Sequence, residues 1–328
     1  MRLLILLTFL MMLQLPILGQ TVNYTIPEGF EKDISKDDYI KIVDIALLTV
    51  AKRYTIEFIK EGTIQLSEGQ DMQAFNLDNL ILKCVAVKEK SKWEKIIQDH
   101  FNSMFSSIDE EKKIDLTNYE TVKKYLSIRI YPQETVNQRG GTTSLVTKIH
   151  LEGTYSLLML DLPGAFTPVQ KQTFNLWKRD ISEVFETALT NVNKQPIEKV
   201  TKKFEIDGIS IEIIFLGNED YAASYALDLA NNSPELVGEW GSVISIPNKG
   251  LVNICKVSKT KPVDFVKFIQ ITKPIIEKSY REHPQPISDQ YYWYYKGKFV
   301  RIMVLEETKG NIQVISPFGL TELMTEKK

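Results

Sequence analysis

The chain has 328 residues, 43% hydrophobic and 25% charged, with 40 Lys+Arg against 42 Asp+Glu for a net charge of −2. The hydrophobic share is ordinary for a globular protein, and the balanced, interspersed signs exclude the basic face that a nucleic-acid partner requires. Only two cysteines occur and neither lies in a Cys-x-x-Cys, which excludes a disulfide-stapled scaffold, a structural zinc site and a thiol redox motif.

Met1-Arg2 is followed by an apolar run over 3–13, then Pro16 and the small residue Gly19 before Gln20. A positive start, an apolar middle, a break and a small residue are the parts of a secretory signal, here expected over 1–19. Gln14 and Pro16 interrupt the run short of the ~20 apolar residues that a lasting anchor uses. The alternative is an uncleaved N-terminal anchor. No cysteine stands at the cleavage point, as a bacterial lipoprotein would need, and no later run is apolar enough to span a bilayer. The expected product is therefore secreted or periplasmic, with no membrane span after cleavage and about 310 residues to fold.

After a polar start, Ser35 with Asp38 predicts a capped helix over 39–52, followed by strands over 54–60 and 63–67 and a longer strand over 80–87. Ser91 with Glu94 opens a second helix, whose stripe Trp93, Ile96, Ile97, His100, Phe101, Met104 and Phe105 has helical spacing. These elements make an N-terminal α+β unit over 20–106, and the charged stretch 107–119 reads as a linker.

A C-terminal α+β region of two units is expected over 120–328. Its first unit has a strand over 125–131, a loop at Gln138-Arg-Gly-Gly141, an antiparallel pair over 145–151 and 154–160, and a turn at Asp161-Leu-Pro-Gly164. Thr167, Pro168 and Gln170 then predict the start of one long helix with Phe174, Trp177, Ile181, Val184, Phe185, Ala188 and Val192 on its buried face. In the second, 204–206 and 209–216 pair across Asp207-Gly208, and Gly217-Asn-Glu-Asp220 opens a helix to about Leu229. Strands over 242–246 and 251–257 flank Pro247-Asn-Lys-Gly250, Pro262 starts a helix that Pro274 kinks or divides, and strands over 290–295, 299–306 and 311–316 close the chain. The fold class is α+β with mostly antiparallel sheets, in strand-pair/helix units repeated about three times.

No motif carries recognisable chemistry. His100, His150 and His283 share no metal-ligand spacing, and His-Glu-x-x-His, Gly-x-Ser-x-Gly and the P-loop are absent. His100 sits on the apolar stripe and reads as a core-edge imidazole, whereas His283, in the rigid loop Arg281-Glu-His-Pro-Gln-Pro286, is the histidine that a cleft would most readily expose. Ser258-Lys-Thr-Lys261 has the spacing of a Ser-Lys pair but enters a helix before Pro262, so a plain cap is the better reading. Gly217-Asn-Glu-Asp220 offers oxygen ligands consecutively rather than in the alternating pattern of a calcium loop, and reads as a helix cap. Cys84 and Cys255 lie in apolar runs and read as buried thiols, with a disulfide as the alternative. Asn23-Tyr-Thr25 matches a glycosylation sequon. Tyr291-Tyr-Trp-Tyr-Tyr295 is either a two-sided strand with one face in the core or an aromatic surface for a partner. No catalytic residue, metal ligand or cofactor site is assigned.

Five segments resemble the YtpQ-like family, bacterial proteins built on a domain of unknown function. They are Tyr125-Leu-Ser-Ile-Arg-Ile-Tyr-Pro132, Thr154-Tyr-Ser-Leu-Leu-Met-Leu160, Phe215-Leu-Gly-Asn-Glu-Asp-Tyr-Ala-Ala-Ser224, Gly241-Ser-Val-Ile-Ser-Ile-Pro-Asn248 and His283-Pro-Gln-Pro-Ile-Ser288. The resemblance implies an α+β fold and a bacterial source, and it supplies no catalytic residue. The export signal departs from the cytosolic character of that family. The expected function is a non-enzymatic binding or interaction protein of the bacterial envelope, with an unknown protein or small molecule as partner and the strand around Trp293 as the first candidate surface. The alternative is a hydrolase-like enzyme that pairs His150 or His283 with an acidic residue.

Overall fold

A computed structural model describes residues 21–326 apart from 71, 139, 163–164, 207 and 309–310; the signal expected over 1–19 lies outside the described residues. The chain divides between Asn102 and Ser103 into two compact units.

In the first unit, β1 (Thr21–Val22), β2 (Ile56–Lys60), β3 (Thr63–Leu66) and β4 (Ala74–Asn76) form a sheet in that order. β1 pairs parallel with β2, and the other pairs are antiparallel. The helix α1 (Lys36–Val50) starts where Ser35 accepts the Asp38 N–H at 3.3 Å, while the Asp38 carboxylate takes an ion pair from Lys90. The expected strand over 80–87 is instead the helix α2 (Asp78–Val85). Its buried residues Leu80, Ile81 and Cys84 have the one-and-four spacing of a helical face, and the Asn76 side chain accepts the Asp78 N–H at 2.8 Å to start the turn. The helix α3 (Trp93–Lys113) runs on through 107–113, which the charge pattern had marked as linker. Those residues are mostly Asp, Glu and Lys, and Glu and Lys extend a helix readily; Ser107, buried, donates back to the Ser103 carbonyl at 2.9 Å.

The second unit starts at Ser103 within α3 and continues with α4 (Tyr119–Val122) and β5 (Leu126–Pro132). Two short helices, α5 (Gln133–Gln138) and α6 (Gly141–Ser144), occupy the expected glycine loop and lead to β6 (Thr147–Lys148) and β7 (Thr154–Leu162). β7 pairs along its length with β5, placing Arg129 opposite Leu157, and its other edge carries β6 and β8 (Ala165–Pro168). Thr167 and Pro168 thus belong to a strand and cap no helix. The expected long helix is two, α7 (Lys171–Leu176) and α8 (Ile181–Val192), separated at Lys178, where φ is +51°; Asp180 caps the second by accepting the Ser182 N–H at 2.7 Å. The expected apolar face survives the break, with Trp177, Val184, Phe185, Ala188 and Val192 buried.

The rest of the unit is a seven-stranded antiparallel sheet built from β9 (Glu198–Ile206), β10 (Ile209–Gly217), β11 (Ser242–Asn248), β12 (Leu251–Lys256), β13 (Tyr291–Tyr295), β14 (Lys298–Thr308) and β15 (Asn311–Ile315), in the order β15-β14-β13-β11-β12-β10-β9. The short helices α9 (Ala222–Tyr225) and α10 (Leu229–Asn232) connect β10 to β11, α11 (Asp264–Glu282) continues unbroken through Pro274, and α12 (Phe318–Thr325) follows the last strand. One sheet face shares a core with α8 and the inner face of β5 and β7; the other packs under α11 and α12. β13 sits where both cores meet: Tyr292 and Tyr294 enter the first, Tyr291 and Trp293 the second. Alternation across a strand explains this division. Gly241, at φ +82°, sets up the entry to β11, since a Cβ there would stand 2.2 Å from the Tyr294 carbonyl oxygen.

Candidate binding site

The features singled out in the sequence resolve first. Cys84 and Cys255 are buried free thiols, and burial pushes them up to about 11 and about 12, which leaves them protonated and unreactive. Ser258 Oγ accepts the Lys261 N–H at 3.2 Å, while Lys261 Nζ reaches the Ser210 carbonyl and the Asp264 carboxylate, so the pair is a turn and not a nucleophile with its base. The candidate aromatic surface is overturned. Trp293 is 5% exposed, its indole N–H donates to the Trp240 carbonyl at 2.8 Å, and its ring stacks on Tyr295. Asn23 Oδ1 accepts from the Thr25 N–H and hydroxyl in a local turn.

Among the described residues no histidine forms an ion pair with a carboxylate, although Glu219 lies near enough to His283 to favour its charge. His100 packs edge-on against Phe101, His150 Nδ1 contacts Ser156 Oγ at 2.8 Å, and His283 Nδ1 accepts the Gln285 N–H at 3.0 Å. Burial holds His100 and His150 down at about 4, with Lys83 and Lys148 adding to it, and lowers His283 as well. No group of three His, Cys, Asp or Glu side chains among the described residues is arranged to hold a metal ion.

A polar corner forms where four distant segments of the second unit converge. Leu126, Ile128 and Ile130 of β5 face the core, so Ser127, Arg129 and Tyr131 face the other way. The loop after β10 is shaped by Asn218, whose Oδ1 accepts the N–H groups of Asp220 and Tyr221 at 2.9 Å each. The β11–β12 turn is tied to that loop by the Ala223 N–H on the Lys249 carbonyl, at 3.1 Å, and to the loop before β13 by the Ile287 N–H on the Pro247 carbonyl, at 2.9 Å. Backbone bonding therefore fixes Asp220, Lys249 and Gln285 around Arg129.

Arg129 is 8% exposed. Its Nη2 donates to Asp220 Oδ1 at 2.6 Å, its Nη1 to Gln285 Oε1 at 3.2 Å, and its guanidinium lies 3.8 Å from the centre of the Phe166 ring. Lys249 Nζ donates to the same Asp220 oxygen at 3.2 Å. Burial opposes charge on Asp220, but Lys249 and Arg129 outweigh it and hold the carboxyl below its ordinary value. Asp161, at the end of β7, accepts the Tyr221 hydroxyl at 2.7 Å; burial raises its carboxyl despite that bond and Arg129. Among the described residues, Arg129 Nε and the buried Ser127 hydroxyl have no hydrogen-bond partner.

The corner holds a small recess of about 10 Å³, room for about one water, lined by Arg129, Tyr131, Asp220, Lys249 and Gln285. Tyr131 also lines a neighbouring cleft of about 220 Å³, whose walls are the buried Val136, Leu145, Leu157 and Met159 with Phe166, and whose polar members are Thr135 and Gln170. That volume is below the ~300–1,000 Å³ typical of small-molecule sites. The Gly217–Asp220 loop and the His283 loop were marked in the sequence; Arg129, Asp161, Lys249 and Gln285 were quoted or passed without a role. The one signal for Arg129 was a charge between two isoleucines in an apolar strand.

No protein-family model, curated protein or solved structure matches the chain.

Proposed function

We propose that the protein is an exported, non-enzymatic binding protein of the bacterial envelope, and that the polar corner around Arg129 with its neighbouring cleft is the binding site. One observation carries the reading: Arg129, more than nine-tenths buried, keeps an unpartnered N–H and lines a small recess with Asp220, Lys249 and Gln285. Desolvating a charged donor without a partner is costly, and a ligand acceptor would repay that cost. The five segments that resemble the YtpQ-like family supply or directly flank Arg129, Asp161, Asp220, Lys249 and Gln285, which supports treating them as one functional unit. Among the described residues no helix is long and apolar enough to cross a membrane, in keeping with release after signal cleavage.

Methyl-labelled NMR with a fragment library tests the binding site. Shift changes confined to Val136, Leu145, Leu157 and Met159 support it, and fragments that perturb none of them refute it. N-terminal sequencing of protein recovered from the periplasm or medium tests export, with a start near Gln20 expected.

The hydrolase-like alternative gains one observation, Asp161, whose part-buried carboxyl is raised by desolvation, against the lowering pull of the Tyr221 hydroxyl that holds it in place. Turnover of ester or glycoside substrates that disappears in Asp161→Asn would favour it over binding alone.

A further inference from the structure

We infer that the solvent face of the first unit's sheet carries a second binding site, independent of the polar corner, and that its ligand is a short neutral saccharide. Strand alternation breaks in β2. Ile56 pairs with Leu66 but Phe58 pairs with Gln65, so Glu57 is the extra residue of a β-bulge. Ile56 and Ile59 are buried, while Glu57 and Phe58 are both exposed. Strict alternation from Ile56 would carry Phe58 to the core face. The bulge turns it outward instead, 37% exposed, into a cross-sheet row with Thr21, Gln65 and Ala74. Bulges recur beside functional sites, where they re-aim a side chain in this way.

Phe58 lines a cleft of about 440 Å³, within the range of small-molecule sites. The β3–β4 connection forms its other wall and is tied down by Gln70. That amide accepts the Thr55 N–H and donates to the Thr55 carbonyl, both at 2.8 Å, and also donates to the Ser67 carbonyl at 3.2 Å. Gln65 Nε2 donates to the Gln73 carbonyl at 2.9 Å, joining the sheet to the same connection. The walls are therefore set before a ligand arrives, which lowers the ordering cost of binding. Among the described residues, no hydrogen bond engages Gln65 Oε1 or the side chains of Glu57, Glu68 and Gln73. Gln73 offers donors and an acceptor, the other three offer acceptors, and Phe58 offers a carbon face. A saccharide has the matching set: hydroxyls that both donate and accept, and C–H faces that pack on an aromatic ring. No Lys or Arg among the described residues lines the cleft, so an anion would meet two carboxylates without a counter-charge. An alkyl chain would desolvate amides and carboxylates and give them no partner. A small cation gains little, because Glu57 and Glu68 are exposed and exposed ion pairs are weak.

NMR titration of the isotope-labelled intact protein with maltotriose, cellotriose and chitotriose tests this, with trigalacturonate and spermidine as anionic and cationic controls. At least one neutral trisaccharide should bind more tightly than either control, with amide shift changes centred on 57–58, 65–70 and 72–73. Phe58→Ala, at an exposed position, should weaken that binding by at least about tenfold, whereas Phe58→Tyr should retain it. Lys249→Met, in the polar corner, should leave it unchanged. Saccharide binding that survives Phe58→Ala, or shift changes confined to the second unit, would place the sugar elsewhere and overturn the inference. Tighter binding of spermidine than of every saccharide would overturn it in favour of a cation held by Glu57 and Glu68, and tighter binding of trigalacturonate would overturn it outright. Absence of binding by all three trisaccharides refutes the saccharide site and leaves the Arg129 corner to its own fragment test.

Discussion

Asp220 and Asp161 are two carboxylates of one corner that their surroundings push in opposite directions. Asp220 is held low, so it contributes stability that is present above the unfolded value of about 4 and lost as pH falls through its lower folded value. Asp161 is raised, so just above pH 4 the folded chain holds more protons than the unfolded one, and stability falls as pH rises. Asp220→Asn should therefore destabilise the protein at pH 7 by about 1–3 kcal/mol, less than a fully buried ion pair would cost because its side chain is 42% exposed. The deficit should shrink in urea titrations below about pH 4. Asp161→Asn should cost less than Asp220→Asn or stabilise, since the amide oxygen still accepts the Tyr221 hydroxyl and no buried charge remains. Equal losses from the two substitutions at pH 7 would contradict this division.

At the scale of elements, β13 is where the two largest cores of the second unit depend on one strand. Trp293→Ala should cost about 3–5 kcal/mol, because it removes a buried indole and leaves the Trp240 carbonyl without its donor. Asp180→Ala, which removes only a helix cap, should cost about 1 kcal/mol. Chemical denaturation of both variants checks the ranking. The elements that were legible in the sequence are those whose signal is local. The β9–β10 and β11–β12 hairpins carry alternation and turn residues at their tips, and α8 carries an apolar stripe. α2 was misread because Leu-Ile-Leu-Lys-Cys-Val-Ala-Val is apolar at nearly every position, and such a run fits a buried strand or a short helix equally. β8 was misread because Thr-Pro imitates a helix start, while the decisive fact is its pairing with β7. The polar corner was illegible for a related reason. Arg129 meets Asp220 and Gln285 across 91 and 156 residues, a distance that no local pattern reports.

For the molecule as a whole, the buried histidines set the response to acid. Each unit holds one histidine lowered to about 4, His100 in the first and His150 in the second. Both are neutral in the folded chain at pH 6, whereas in the unfolded chain they titrate near 6.5. Between about pH 6.5 and 4 the unfolded state thus binds more protons, so stability is complete above that window and declines as pH falls through it. The full shift corresponds to about 3 kcal/mol for each histidine, a large share of the 5–15 kcal/mol typical of a domain. Asp161, whose carboxyl burial raises, works the other way above its ordinary value. Hydrogen exchange followed by mass spectrometry, from pH 7 to 4.5 and corrected for intrinsic rates, reads each unit through its own peptides. Protection in 21–102 and in 103–326 should both fall toward pH 4.5. His150→Gln, which keeps a partner for the Ser156 hydroxyl, should flatten the decline in 103–326 and leave that in 21–102 unchanged. A decline in 103–326 that is as steep in the variant as in the wild type would assign acid sensitivity there to groups other than His150. If the chain is exported as proposed, that slope would set the acidity at which the polar corner, held in the same unit, is lost.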